Sequence, residues 1–131
     1  MTSKRRDLVL EAARAAAAKK AERVVLLDVS ELLVITDYFL ICNGSNERQV
    51  GTIADEVERR LAETHRARPV RREGEREARW IVLDYVDFVV HVFLREERDF
   101  YDLERLWSDA PRLPVEDPWE ERHEPAAAEA T

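Results

Sequence analysis

The stretch WIVLDYVDFVVHVF, residues 80–93, decides how this chain folds. Two apolar runs, 80–84 and 88–93, are separated by Tyr85-Val86-Asp87. Runs of this length, rich in β-branched and aromatic residues and joined by a short break, read as a β-hairpin. Side chains alternate across a strand, so Trp80, Val82 and Asp84 share one face while Ile81 and Leu83 share the other. Val89, His91 and Phe93 share a face in the same way. Asp87 sits in the break, where Asp is favoured for turn reasons alone. Two carboxylates and an imidazole in one apolar hairpin leave three readings: a metal or acid–base site, a turn beside a core histidine, or part of a docking face.

Upstream of the hairpin, Asn46 and Gln49 form a capping-box-like pair. They open a helix whose Val50, Ile53, Ala54, Val57 and Leu61 fall on one face. A strand over 37–44 precedes it and stops at Asn43-Gly44. Residues 24–29, VVLLDV, read as another strand, and SELL (30–33) as a turn. Residues 3–21 read as a helix with Ser3 as N-cap. Its apolar stripe (Leu8, Val9, Ala12, Ala16) is thin, which places it on the outside of the fold. The segment 65–79 holds six arginines and three glutamates. It reads as a loop with a short edge strand around 69–72.

Downstream, 96–108 reads as a last helix with Phe100, Leu103, Leu106 and Trp107 on one face, stopped by Pro111 and Pro114. The order α-β-β-α-(β)-β-β-α gives an α/β (α+β) domain with a mixed sheet flanked by helices. The expected domain covers residues 1–111. Residues 112–131 form an acidic tail rich in Pro, Ala and Glu, expected to be disordered, with Trp119 as its anchor candidate.

The chain has 131 residues and a formal charge of −7, so one soluble domain with a real core is expected. The apolar stretches are strand-length and broken by charge, which predicts no membrane span. Asp7 and Glu11 interrupt the N-terminal segment, against a signal or transit peptide. The single cysteine, Cys42, follows FLI in a strand and reads as a buried, inert thiol. One cysteine and no internal disulfide suit a reducing cytoplasm. An acidic chain gains no general attraction from a phosphate backbone, so sequence-specific nucleic-acid binding is not expected and a basic partner is the better one.

No chemistry assembles around the polar residues. His91 lies between valines, and no HxxxH or HxH pair exists, so neither a metal nor a catalytic residue is assigned. Gly44-Ser45 before a helix could hold a phosphate on free N–H groups. A nucleotidyltransferase would need a magnesium-binding carboxylate pair on one strand face. Asp84 and Asp87 are three apart, and i and i+3 do not share a strand face. There is no Walker lysine and no GxGxxG. Hydrolase or protease motifs are missing around Ser45 and Cys42. The arginine loop is mixed in sign and reads first as solvated, with a local phosphate contact as its functional alternative.

Two blocks, TDYFLICNGSNERQVGTIADEVERRL (36–61) and WIVLDYVDFVVHVFLREERDFYDLERLWSDAP (80–111), resemble the ribosomal silencing factor family, also called Iojap-like proteins. The resemblance spans about residues 5–111. Many members have Gly where this chain has Val86. The resemblance implies a nucleotidyltransferase-like fold without the active site, no enzymatic step and no cofactor. It implies binding to ribosomal protein fourteen of the large ribosomal subunit, a steric block to subunit joining, and lower translation when nutrients are scarce. Family members also self-associate, so a homodimer is a further expected arrangement. The docking set expected here is Trp80, Asp84, Tyr85, Asp87 and His91, with Asp37 and Tyr38 nearby. The alternatives are a nucleotide-binding enzyme of the nucleotidyltransferase type and an RNA-binding ribosome assembly factor using the arginine loop.

Overall fold

The computed structural model of the chain describes residues 4–74 and 76–118. In order they form α1 (Lys4–Ala18), β1 (Glu22–Asp28), β2 (Tyr38–Gly44), α2 (Glu47–His65), β3 (Arg71–Glu73), β4 (Trp80–Asp84), β5 (Phe88–Leu94), α3 (Arg95–Tyr101), α4 (Leu103–Leu106) and β6 (Arg112–Leu113). The strands make one six-stranded mixed sheet in the order β3-β4-β5-β2-β1-β6. Its centre is the parallel pair β2–β5, in register from Tyr38↔Phe88 to Gly44↔Leu94. The 80–93 hairpin forms as expected, antiparallel from Trp80↔Phe93 to Asp84↔Val89. The short edge strand also forms, and it pairs with β4.

Alternation divides the sheet residues between two cores. Leu26, Leu40, Cys42, Ile81, Leu83, Val90 and Val92 pack under α1 and α2. Helix α1 is less peripheral than its thin stripe suggested: Val9, Ala12, Ala13, Ala15 and Ala16 are all buried. Small side chains let its backbone sit close to the sheet, so a narrow stripe still fills the space. On the other face Val25, Leu27, Phe39, Ile41 and Phe93 pack with Ala110, Leu103 and Trp107.

The expected single helix 96–108 is two pieces. Asp102 adopts a left-handed conformation (φ 45°) and ends α3. The cause is Arg98, whose side chain is only 2% exposed. Its Nη1 donates to Asn43 Oδ1 at 3.0 Å and to the carbonyl of Arg23. Its Nε donates to Glu104 Oε1 at 2.9 Å. In one continuous helix Glu104 would lie about 120° around the axis from Arg98, out of reach. The break at Asp102 brings it back. Leu103 and Trp107 reach the core, while Phe100 and Leu106 stay exposed, against the single apolar face expected.

The tail expectation is corrected at its start. Residues 112–113 pair with Leu26 and Leu27 of β1, and Asp28 N–H donates to Pro111 O at 2.8 Å. Asp117 is buried and accepts from Val24 N–H at 2.9 Å. That amide is near a register shift in β1, where Arg23 has φ 46°. An irregular strand leaves polar backbone groups that must find other partners. Arg98 and Asp117 supply them. The ordered unit therefore extends past 111 through 118; Trp119 and the rest of the tail lie outside the described residues.

Gly74 turns β3 into β4 at φ 85°, and a Cβ there would sit 1.9 Å from the Trp80 carbonyl oxygen. Only glycine fits that turn. Arg98→Ala is expected to lower unfolding free energy by about 3 kcal/mol, because it strips partners from buried Asn43 and from the Arg23 carbonyl. Urea denaturation measures this; a loss below about 1 kcal/mol would contradict the role given to Arg98.

Candidate docking surface

Helices α1 and α2 cover one sheet face entirely, whereas α3 and α4 cover only part of the other. The uncovered part is a groove of about 410 Å³. Its floor is Phe39, Val89, His91 and Asp84, all pointing to one side by strand alternation. Its walls are Leu33, Ile35, Thr36, Val70, Arg71 and Val86. The rim is strongly apolar. Val34 is fully exposed, Ile35 is 81% exposed, and Val70, Val86 and Leu32 are also exposed. Among the described residues this is the densest group of exposed aliphatics, and such patches mark interaction sites.

Aromatic rings run along the same face. Trp80 stacks on Phe93 with centroids 4.7 Å apart and meets Tyr101 at 4.7 Å. His91 lies edge-on to Phe39 at 5.0 Å, and Phe39 meets Trp107 at 5.6 Å. Trp80 Nε1–H donates to His91 Nδ1 at 3.2 Å. That bond assigns the ring proton to Nε2, which is buried with no protein partner among the described residues. Burial holds His91 down to about pKa 4, so it is neutral near pH 7.

The expected docking residues separate into three places. Trp80, Asp84 and His91 share the grooved face. Tyr38 and Tyr85 do not: both are buried on the helix-covered side, and Tyr85 stacks on Phe88 at 4.8 Å. Burial also pushes the Tyr85 hydroxyl up from its ordinary pKa. Their place in a single docking set is therefore corrected; they are core residues beneath α1 and α2. Asp37 and Asp87 lie together at the end of the sheet. Asp37 N–H donates to Asp87 O at 2.9 Å, and Arg5 of α1 bonds Asp37 and lies 3.9 Å from Asp87.

Asp87 lies in the hairpin bend as expected, its N–H donating to Tyr85 O at 2.8 Å. Asp84 also supports the bend, by accepting Val86 N–H at 2.8 Å. Val86 then takes φ 71°, a conformation disfavoured for a β-branched side chain. The chain holds an apolar side chain at the groove rim at a local backbone cost.

The groove residues missed from sequence were Leu33, Ile35 and Thr36, with the exposed Val34 between them. Their signal was available: Leu32 to Ile35 is an apolar run in a connection, where turn chemistry favours polar residues.

The phosphate-binding alternative is answered by the start of α2. Asn46 Oδ1 accepts Gln49 N–H at 2.8 Å, and Gln49 Oε1 accepts Ser45 N–H at 2.7 Å. The capping box is real, but its return bond reaches Ser45 rather than Asn46. The Gln49 amide also donates to Lys19 O and Lys20 O, tying α2 to the end of α1. Two of the N–H groups that a phosphate could use, those of Ser45 and Gln49, are thus occupied by side chains of the chain itself. Behind them stands the Asn43–Arg98 pair and Glu22, whose carboxyl is held below the usual range first by Arg95. Cys42 is fully buried, and burial pushes its thiol up to about 12. Among the described residues no group of three or more His, Cys, Asp or Glu is placed to hold a metal ion.

Residues 2–131 match the family described as "Ribosomal silencing factor during starvation". This chain belongs to the ribosomal silencing factor family. It is 44% identical over 110 residues to the ribosomal silencing factor of Halalkalibacterium halodurans, covering 84% of this chain and 93% of that one. It is 44% identical over 100 residues to the Bacillus subtilis ribosomal silencing factor, covering 76% and 84%. The fold matches a crystal structure of a Chromobacterium violaceum protein with a TM-score of 0.78, 30% identity, and coverage of 88% and 97%. Among the described residues no helix is long and apolar enough to cross a membrane.

Two measurements check this geometry. Val86→Gly is expected to raise stability by about 0.5–1 kcal/mol: a left-handed L-residue costs about 1–2 kcal/mol, and glycine returns part of that gain as unfolded-state entropy. A higher urea midpoint at unchanged slope confirms it; a lower midpoint contradicts it. The depressed pKa of His91 means that the unfolded chain binds the extra proton. Its stability contribution is complete above about pH 6.5 and is lost as pH falls toward 4. From pH 7.5 to 5 the loss is about 2 kcal/mol. His91→Gln should flatten that slope, and an unchanged slope refutes the assignment.

Proposed function

We propose that this protein binds the large ribosomal subunit through its ribosomal protein fourteen and sterically prevents joining of the small subunit. It thereby represses translation under nutrient limitation. The action is binding alone, in the cytoplasm, with no catalytic residue and no cofactor. The single observation that carries this reading is the half-covered sheet face. A rigid groove with an exposed aliphatic rim, set in a chain with 37% charged residues, fits a protein surface better than a solute.

The chemistry of the rim favours a basic partner. Glu31, Asp84 and Asp87 flank the aliphatics, and an acidic domain is steered to a basic ribosomal protein at a salt-sensitive rate. Val34 and Ile35 are the anchors to test first, since their exposure means that replacing them removes no core packing. Trp80 contributes from within the aromatic stack, and among the described residues His91 Nε2–H and Thr36 Oγ1, both on groove-lining residues, have no hydrogen-bond partner. Steric exclusion needs only affinity. About −10 kcal/mol, tens of nanomolar, holds the protein on the subunit. A homodimer through the same aliphatic rim would compete with that binding.

Co-sedimentation with separated ribosomal subunits, followed by a subunit-joining assay, tests the reading. The wild type should travel with the large subunit and reduce joining. Ile35→Glu should weaken binding at least tenfold, about 1.4 kcal/mol or more, while leaving the thermal melt unchanged. Large-subunit binding that leaves joining unaffected would refute the silencing mechanism, and undiminished binding of the folded variant would refute the groove.

A further inference from the structure

The edge of the sheet beside the groove has chemistry that the docking reading does not use. Segment 65–79 carries six arginines against three glutamates, a formal +3 in a chain of −7. Two of those arginines are committed. Arg72 faces α2 and pairs with Asp55 and Glu58, and Arg79 pairs with Glu97. The other four, Arg66, Arg68, Arg71 and Arg76, are exposed and make no salt bridge among the described residues. Elsewhere the arginines are mostly paired, including Arg5, Arg14, Arg23, Arg59, Arg60 and Arg95.

Position gives these cations a direction. β3 is the outer strand, and among the described residues no strand pairs with its far edge. Arg71 opposes Asp84 in the ladder and lines the groove. Arg76 lines a neighbouring cleft of about 480 Å³ with Gly74, Glu77, Arg79, Trp80, Glu97 and Tyr101, where Glu97 is paired with Arg79. Both arginines therefore flank the face that carries the docking groove, and the cleft adds two aromatic walls beside a guanidinium. Protection of an edge strand against pairing would need charge only on the strand itself. Arg66, Arg68 and Arg76 lie off it. The acidic balance of the chain does not cancel this edge, because charges more than about 8 Å away are largely screened at physiological salt.

We propose that the arginine edge, Arg66 to Arg76, is a second contact that takes the phosphate backbone of ribosomal RNA beside the docked protein. This rests on the reading of the groove as the docking site for a large-subunit protein. Guanidinium groups suit phosphate oxygens by bidentate hydrogen bonding, and such contacts position without reading sequence. The Trp80–Tyr101 cleft offers an unpaired base a stacking wall. The protein thus presents two adjoining surfaces of opposite character: an aliphatic groove with acidic neighbours for a basic protein, and an arginine edge for RNA.

Salt dependence of binding separates the two contacts. The probes are purified large ribosomal subunits and isolated ribosomal protein fourteen, each titrated with wild type, Ile35→Glu, and the combined Arg66→Gln, Arg68→Gln, Arg76→Gln variant, which leaves the groove-lining Arg71 in place. Each phosphate contact adds about 0.7–0.9 to the slope of log affinity against log salt. The triple variant should lose about two from that slope on the subunit, and at least tenfold in affinity near 100 mM salt. Its binding to the isolated protein should stay unchanged, whereas Ile35→Glu should lose both. An unchanged slope and affinity on the subunit would overturn the RNA contact while leaving the groove intact. Equal loss on the isolated protein would also overturn it, by assigning the arginines to protein contact. Failure of the wild type to bind either probe would remove the docking reading and this inference with it.

Discussion

One buried guanidinium determines how much of the sheet stays open. Arg98 takes the Asn43 side chain and a carbonyl of the irregular part of β1, and holds Glu104 from beyond the end of its own helix. Burying that cation is costly unless its donors are met. Nε and Nη1 are bonded, while the buried Nη2 has no partner among the described residues. The bonds that do form leave the surrounding chain little freedom. The helix must stop at Asp102 so that Glu104 can return. Once it stops, Leu103 and Trp107 fall over Phe39 and Phe93, and the cover ends there. Over Val89 and His91, among the described residues, the face is left as the groove.

The two sheet faces then do different work. The helix-covered face is a packed alanine-rich and aliphatic core, with Tyr38 and Tyr85 inside it. The other face is rigid because its floor is the centre of the sheet, yet its rim is set by a connection and a strained hairpin. Rigid floor and exposed aliphatic rim together favour binding without reorganisation, which keeps the entropic cost of association low. At the end of β2 the Ser45 and Gln49 N–H groups are capped by the side chains of Gln49 and Asn46.

Much of this was legible in the sequence, and the failures have identifiable physics. The hairpin, the central strands, α2 and the edge strand follow from period and turn chemistry, because those patterns report local geometry. Alternation grouped Trp80 with Asp84 and, separately, His91 with Val89 and Phe93; the register between β4 and β5 brings the two groups to one face. Tyr85 continues the face of Ile81 and Leu83, and Tyr38 the face of Leu40 and Cys42, both in the helix-covered core, so the same alternation sets them apart from Trp80 and His91. The helix break escaped because apolar spacing from 96 to 108 is helical throughout, and a buried Arg–Glu pair across the break is a long-range effect. The strand at 112–113 was hidden by acidic and proline-rich composition, which predicts disorder only when no edge is waiting to be paired. The aliphatic run 32–35 was readable, since apolar residues in a connection have no local reason to be there.

Hydroxyl-radical footprinting of the protein, free and bound to purified large subunits, tests the central claim most directly. The claim predicts that Val34, Ile35 and Val86 lose reactivity on binding, while exposed residues of α1 and α2, on the opposite side of the sheet, keep it. Protection of the α1–α2 surface with the aliphatic rim still reactive would contradict the account.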